Sequence, residues 1–291
     1  MIKRLSPFVS IIRLGNVLMT GFAVILGIWL SGTLSAAFRP VLLMVAAMSA
    51  ASFGNVINDL LDIETDRISH PERPLAKGSM KNSTAVIFAV LLVAISLLSS
   101  FLVSPFHWKA TFFPLILLSV YSFHFKKTPL IGNLLVASLV AYALLFGVLP
   151  KPEYEILVIP ALLAFLLNFC REIVKDIQDE QGDRNQGYNT TAVLHPALLK
   201  GILLLIGAVY LALLFLPSLY QNHFGNVYTG TCLLLVLPLH FYWSALILKR
   251  NFSVQTPRIA SVLKLEMLGG LLALSLDKIV QMAVPAFTGS F

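Results

Sequence analysis

Two stretches of this chain repeat one carboxylate spacing. Asn58-Asp59-Leu60-Leu61-Asp62-Ile63-Glu64-Thr65-Asp66 and Lys175-Asp176-Ile177-Gln178-Asp179-Glu180-Gln181-Gly182-Asp183 both read Asp-x-x-Asp-x-x-x-Asp, each at the end of a long apolar run. Ten of the fourteen acidic residues fall within 59–72 or 172–183. At about 100° per residue, positions i, i+3 and i+7 lie within roughly 60° of one another, so each set is predicted to present three carboxylates on one helical face. Such a face repels itself and needs a cation. Asp59, Asp62, Asp66, Asp176, Asp179 and Asp183 are the candidate metal ligands, and hard oxygen ligands of this kind suit Mg²⁺, which keeps waters and is completed by substrate phosphates. Two facing triads would hold two Mg²⁺ ions with a diphosphate between them. Asn55 lies on the first face one turn before Asp59, Asn58 lies at its margin, and Glu172 takes the place of Asn55 in the second. Read as structure alone, the clusters are solvated helix ends; the duplicated spacing and the scarcity of acid elsewhere weigh against that.

Basic residues follow the first cluster. The loop 67–78 contains two prolines and a glycine, a composition that fixes a bend, and carries Arg73 and Lys77. Arg clamps phosphate oxygens bidentately and Lys binds them as a point charge, although loop cations also serve membrane topology. Tyr121-Ser122-Phe123-His124-Phe125-Lys126-Lys127 joins an aromatic run to two further cations. Aromatic faces stabilise carbocations, and they also simply pack.

The elements that position these groups are membrane helices. The chain is 57% hydrophobic and 12% charged, with a mean hydropathy of +0.84, far from the usual quarter of charged residues. Apolar stretches run through 14–30, 41–57, 85–103, 110–123, 134–149, 156–170, 198–216, 228–248 and 262–280, near the ~17–25 residues of a spanning helix. The expectation is an all-α polytopic membrane protein of about nine helices. Loop charge sets orientation: with a cytosolic N-terminus, seventeen Lys and Arg fall on the cytosolic side and four on the other. Both carboxylate clusters then face the cytosol. The net charge of +7 reads as topology plus anion binding, with no nucleic-acid partner, because no basic segment is interleaved with aromatics in a soluble module. Cys170 and Cys232 lack any ligand or pairing spacing and read as small core residues. His107, His223 and His240 read as packed or interfacial; His70, His124 and His195 lie near the motifs with no role assignable.

The acidic motifs are 117 residues apart, and the same offset carries Asn16 onto Asn133, Asn55 onto Glu172 and Asn58 onto Lys175. This suggests a single domain over 1–291 built from pseudo-repeats of about 1–117 and 118–234 plus a ninth helix. Four spans per half make the repeat parallel, with both copies opening to one side. A cation transporter would carry acids along a transmembrane path, whereas only Glu266 and Asp277 lie inside the last span. An inactive lipid scaffold would not keep both motifs intact.

Together, Asn58-Asp59-x-x-Asp62-x-x-x-Asp66, Arg73-Pro74-Leu75-x-x-Gly78, Tyr121-Ser122 with Lys126, the second aspartate motif, and Arg13-x-x-Asn16 in the first helix resemble the UbiA superfamily of intramembrane prenyltransferases. The resemblance spans nearly the whole chain. It implies nine helices around a central cavity, Mg²⁺, and transfer of a prenyl group from a polyprenyl diphosphate to an acceptor. Arg73, Lys77, Lys126 and Lys175 would neutralise the leaving group beside Tyr121, and Asn16, Asn55, Asn58, Asn133 and Arg171 would contact the substrates. The string 171–183 is most similar to the geranylgeranylglycerol-phosphate geranylgeranyltransferase branch, implying a lipid acceptor, geranylgeranylglyceryl phosphate, in a cell membrane. The homogentisate branch shares the Lys-Asp-Ile-x-Asp and Gly-Asp elements, so an aromatic acceptor (homogentisate, 4-hydroxybenzoate or a naphthoate) is the alternative. Ser69 and the run Tyr188-Asn189-Thr190-Thr191 depart from the family pattern.

Overall fold

The computed structural model describes residues 2–34, 38–185, 187–219 and 224–288; His223 lies outside them. Helices account for all regular structure among the described residues. They are α1 Ile2–Ile11, α2 Leu14–Leu30, α3 Arg39–Leu61, α4 Ile63–Ser69, α5 Asn82–Phe101, α6 Pro105–Phe123, α7 Ile131–Phe146, α8 Val158–Asn185, α9 Pro196–Leu214, α10 Leu216–Leu219, α11 Asn226–Thr231, α12 Leu237–Leu248 and α13 Thr256–Thr288. A π-helical stretch, Cys232–Val236, joins α11 to α12. Each of the nine apolar stretches falls on a helix. Proline opens α6 and α9 and follows Arg39 at the start of α3, where its missing N–H is not needed. Ser104 caps α6 by accepting from the His107 amide.

Six helical segments are long and apolar enough to cross a membrane: Arg39–Leu61, Asn82–Phe101, Pro152–Asn185, Pro196–Leu219, Asn226–Leu248 and Phe252–Ala283. Leu14–Leu30 and Ile131–Phe146 are apolar but shorter. Exposed Ile87, Leu91, Leu98, Leu205 and Leu234 clothe the outer surface in hydrocarbon, as a lipid-facing surface requires. The chain is a multi-pass membrane protein.

Packing closes a ring. Helix α2 lies against α3 and α7, α6 joins α3 to α7, α7 packs on α8, α8 on α13, and α13 returns to α2. Helices α5, α9 and α12 buttress the ring from outside. Close approach between α2 and α7 depends on Gly27, where a Cβ would stand 2.0 Å from the Leu144 carbonyl oxygen. The acids of the last span turn out to bind helices together. Glu266, fully buried, accepts from the Trp243 indole at 2.6 Å and meets His240 Nδ1 at 2.8 Å. Asp277 accepts from the backbone amides of Gly225 at 2.9 Å and Tyr228 at 3.0 Å, serving the orphan amides at the start of α11 from a neighbouring helix.

Among the described residues two that are not glycine occupy positive φ: Arg13 at 54° and Leu130 at 62°. Each immediately precedes a ring helix, α2 or α7, and the 117-residue offset carries one onto the other.

Candidate active site

The first acidic motif departs from the expected single helical face. Helix α3 ends at Leu61, Asp62 adopts φ −104°, ψ 13°, and the chain resumes as α4. Asp62 sits in the sparsely populated bridge region with its carboxylate bonded to Lys126. That one-residue break redirects Asp66 relative to Asp59. All three carboxylates are nonetheless buried, with exposures of 1%, 3% and 4% for Asp59, Asp62 and Asp66. Arg13 Nη2 reaches Asp59 at 2.6 Å and Nη1 reaches Asn55 Oδ1 at 3.3 Å, while Asn55 donates to the Ile12 carbonyl at 2.7 Å. Arg73 spans the motif, 2.5 Å from Asp66 and 3.5 Å from Asp59. Burial raises Asp66 above the ordinary carboxylate value against the pull of Arg73, and the charges of Asp59 and Asp62 push the same way as burial. Arg73 is itself raised: burial works to lower it, and Asp59 and Asp66 outweigh that.

The second motif keeps the expected continuous helix, with all three aspartates on α8. Asp176 accepts from Asn133 Nδ2 at 3.0 Å and from the Thr191 amide at 3.1 Å, and Thr191 Oγ1 donates to Asn133 Oδ1 at 2.5 Å. Leu130, in its left-handed conformation, gives its amide to Thr191 Oγ1 at 2.9 Å. Asn133 is therefore a brace for Asp176, and Thr191, in the run that departs from the family pattern, is part of the same brace. Glu172 gathers Arg171 at 3.1 Å and Lys175 at 2.8 Å.

The two motifs meet. His70, following α4, bonds Asp179 at 3.1 Å. Lys126 bonds Asp62 and lies within electrostatic reach of Asp183, as Arg73 does of Asp179. Helices α4 and α8 approach closely at Gly182, where a Cβ would come 2.1 Å from Ser69 Oγ. Just inside lies a cavity of about 290 Å³ whose wall includes Arg13, Asn16, Asn58, Tyr121, Arg171 and Lys175, together with apolar side chains such as Leu118, Leu139 and Leu167. Asn55 also lines it. Lys77 is exposed and makes no ion pair among the described residues.

Among the described residues no three carboxylate, histidine or cysteine groups already converge on one point. Asp59, Asp62 and Asp66 are turned instead onto Arg or Lys cations, Asp176 onto amides and Asp179 onto His70. The donor set nonetheless fits a hard divalent ion: six aspartates from α3, α4, the break between them and α8, and the buried Asn58 Oδ1, which has no hydrogen-bond partner beside Asp59. Arg73 and Lys126 occupy positive positions that such an ion would share or take over, and His70 bonds Asp179 beside them. Arg13 and His70 were visible in the sequence as residues near the motifs, but their partners lie 46 and 109 positions away, a pairing that only the fold reveals. Asn168, buried on α8 with its Nδ2 unpartnered, and Lys264 on α13 also line the cavity; the signal for Asn168 was a lone amide within an apolar run.

Residues 19–262 match the model of the UbiA prenyltransferase family. A digeranylgeranylglyceryl phosphate synthase of Methanobrevibacter smithii is 32% identical over 94% of this chain and 98% of its own length. A solved structure described as a digeranylgeranylglyceryl phosphate synthase in membranes superposes with a TM-score of 0.76 at 27% identity, covering 95% of this chain and 99% of the other. A UbiA homologue from Archaeoglobus fulgidus, solved with GPP and Mg²⁺, shares the fold with a TM-score of 0.63 at 19% identity, covering 92% and 99%. With its paired aspartate motifs at the mouth of a membrane cavity and a family match across most of its length, this chain belongs to the UbiA prenyltransferase family.

Proposed function

We propose that the chain catalyses Mg²⁺-dependent transfer of a geranylgeranyl-type group from a polyprenyl diphosphate to a lipid acceptor, geranylgeranylglyceryl phosphate. The observation that carries this reading is the meeting of α4 and α8, which brings both aspartate motifs together beside a largely apolar cavity lined by their neighbours Asn55, Asn58, Glu172 and Lys175. The relatives named as digeranylgeranylglyceryl phosphate synthases and the homologue solved with GPP and Mg²⁺ support the acceptor and the metal.

Asp59, Asp62 and Asp66 with Asp176, Asp179 and Asp183 hold the metal, and Asn133 with Thr191 fixes Asp176 in place. Bound Mg²⁺ supplies positive charge to the diphosphate leaving group. Arg73, Lys126 and Lys175, drawn off their carboxylates, neutralise the same developing charge, and Lys77 adds to it from the loop. Asn16, Asn55, Asn58 and Arg171 face the substrates from the cavity rim. The C–O bond to the diphosphate breaks, and the allylic cation is held against apolar walls and the ring of Tyr121, away from water. A new C–O bond forms to the acceptor hydroxyl, whose proton leaves to water or to the departing diphosphate.

The site opens to the cytosolic face of the cell membrane, with the N-terminus cytosolic, in line with the loop charges. The single domain is a parallel duplication, and the shared 117-residue offset of Arg13 and Leu130 supports it. Surrounding membrane lipid delivers both substrates. The test is incubation of purified chain with Mg²⁺, geranylgeranyl diphosphate and either geranylgeranylglyceryl phosphate or homogentisate. An ether lipid formed only with Mg²⁺ is expected. Prenylated homogentisate with no ether product would establish the aromatic alternative.

A further inference from the structure

An anionic acceptor needs a cation that the diphosphate site does not use. Apart from the exposed Lys77, already assigned to the donor diphosphate, the basic residues nearest the mouth are engaged. Arg13 is on Asp59, Lys126 on Asp62, and Arg171 and Lys175 on Glu172. Lys127 lies 4.3 Å over the Tyr188 ring, and Arg184 is 4.0 Å from Glu180. Lys264 differs. It lines the cavity from α13, is partly buried, and has neither an ion-pair nor a hydrogen-bond partner among the described residues. It lies two turns, about 12 Å, into its helix. Its Nζ rests against the start of α2, 3.5 Å from where a Gly15 side chain would begin, next to Asn16, whose side-chain amide makes no hydrogen bond among the described residues. A lone ammonium facing a membrane cavity is costly unless a ligand completes it. A second observation points the same way: Asn168, 3% exposed on the α8 wall of this cavity, has an amide nitrogen with no acceptor. Buried donors in native structures are almost always satisfied, so an orphan on a cavity wall marks a missing partner.

We infer that Lys264, with Asn16 and Asn168, forms the head-group subsite of the acceptor, binding its phosphate monoester on the α2–α13 side while the donor diphosphate is held by the aspartate motifs. This rests on the proposed transfer to a phosphate-bearing lipid. Holding the two anions on different side chains lets each be recognised separately, so a neutral prenyl glycerol would enter the same cavity without engaging Lys264.

The test is steady-state transfer by the full chain in detergent with Mg²⁺ and geranylgeranyl diphosphate. It compares geranylgeranylglyceryl phosphate with unphosphorylated geranylgeranylglycerol for wild type, Lys264→Gln and Lys264→Arg. Lys264→Gln should lower kcat/KM for the phosphorylated acceptor at least tenfold. The value for the neutral acceptor and the KM for geranylgeranyl diphosphate should stay within twofold, and Lys264→Arg should recover most of the loss. Equal losses on both acceptors, a raised donor KM, or no change at all would overturn the subsite. If wild type uses neither glycerol lipid but prenylates homogentisate, the proposed acceptor fails and this subsite with it. That outcome is distinct from a wild type that uses the phosphate while Lys264→Gln uses it equally well.

Discussion

Arg73→Met tests the electrostatic logic of the site without any reference to turnover. Arg73 lies 2.5 Å from Asp66 and 3.5 Å from Asp59, both buried. Removing one partner of a buried pair costs roughly 3–5 kcal/mol, because the other charge is left uncompensated. With about a fifth of the Arg73 side chain exposed, the lower end applies, about 3 kcal/mol. The deficit should depend on pH. Asp66 is already raised from 3.8 by burial, so it holds its proton more tightly folded than unfolded. Stability then falls as pH climbs from the unfolded value through the folded one. Loss of Arg73 raises Asp66 further and shifts that window upward. The variant should therefore lie closer to wild type at pH 5 than at pH 8. Mg²⁺ should rescue it more than it stabilises wild type, since the ion replaces missing positive charge on the same carboxylates. Unfolding of both proteins in detergent, followed by tryptophan fluorescence at pH 5 and pH 8 with and without Mg²⁺, reads all three effects. Equal stability of variant and wild type at pH 8, or equal Mg²⁺ stabilisation of the two, would refute the idea that Arg73 stands where a metal's charge acts.

Three further outcomes are expected. Asp59→Asn and Asp176→Asn should each cut product formation at least a hundredfold while leaving detergent-solubilised protein monodisperse; near-normal Mg²⁺-dependent transfer by either would remove that residue from the site. Gly182→Ala drives a methyl toward Ser69 Oγ and Thr65, so it should separate the motifs and impair turnover, with partial recovery in the Ser69→Gly double variant; full activity in the single variant would show that the α4–α8 contact is dispensable. Asp277→Leu leaves two backbone amides of the α11 start without their acceptor, costing roughly 2–6 kcal/mol at ~1–3 kcal/mol per unsatisfied buried group, toward the low end because Gly225 is exposed. Its effect should appear in thermal unfolding and not in either substrate's KM.

The helices and the aspartate motifs were legible because each rests on a local signal: an apolar run of spanning length, or a repeated carboxylate spacing. What could not be read was how the charges are paired. Arg13 with Asp59, His70 with Asp179 and Lys126 with Asp62 join residues 46 to 109 positions apart, and no periodicity encodes such contacts. The break at Asp62 was hidden for a related reason. Its neighbours are all acceptable in a helix, and the bond to Lys126 comes from a different element. Asn133 shows how a correct position can carry an unexpected contact, because its pairing with Thr191 depends on a loop 58 residues away. Glu266 and Asp277 stood beside lysines in the sequence, yet their partners are His240, Trp243 and backbone amides on other helices.

The left-handed residues at 13 and 130 give the site a mechanical character. A non-glycine residue at positive φ costs on the order of 1–2 kcal/mol, and both are anchored to the first aspartate of a motif: Arg13 directly through its guanidinium, Leu130 through Thr191. Each strained residue is a wound spring whose catch is the hydrogen-bond network of a motif aspartate. If metal and diphosphate draw Asp59 or Asp176 away from those partners, the catches loosen and the entrances of α2 and α7 are freed to unwind. The two halves of the ring would then feel arrival of the donor as a release of tension at the mouth of the cavity.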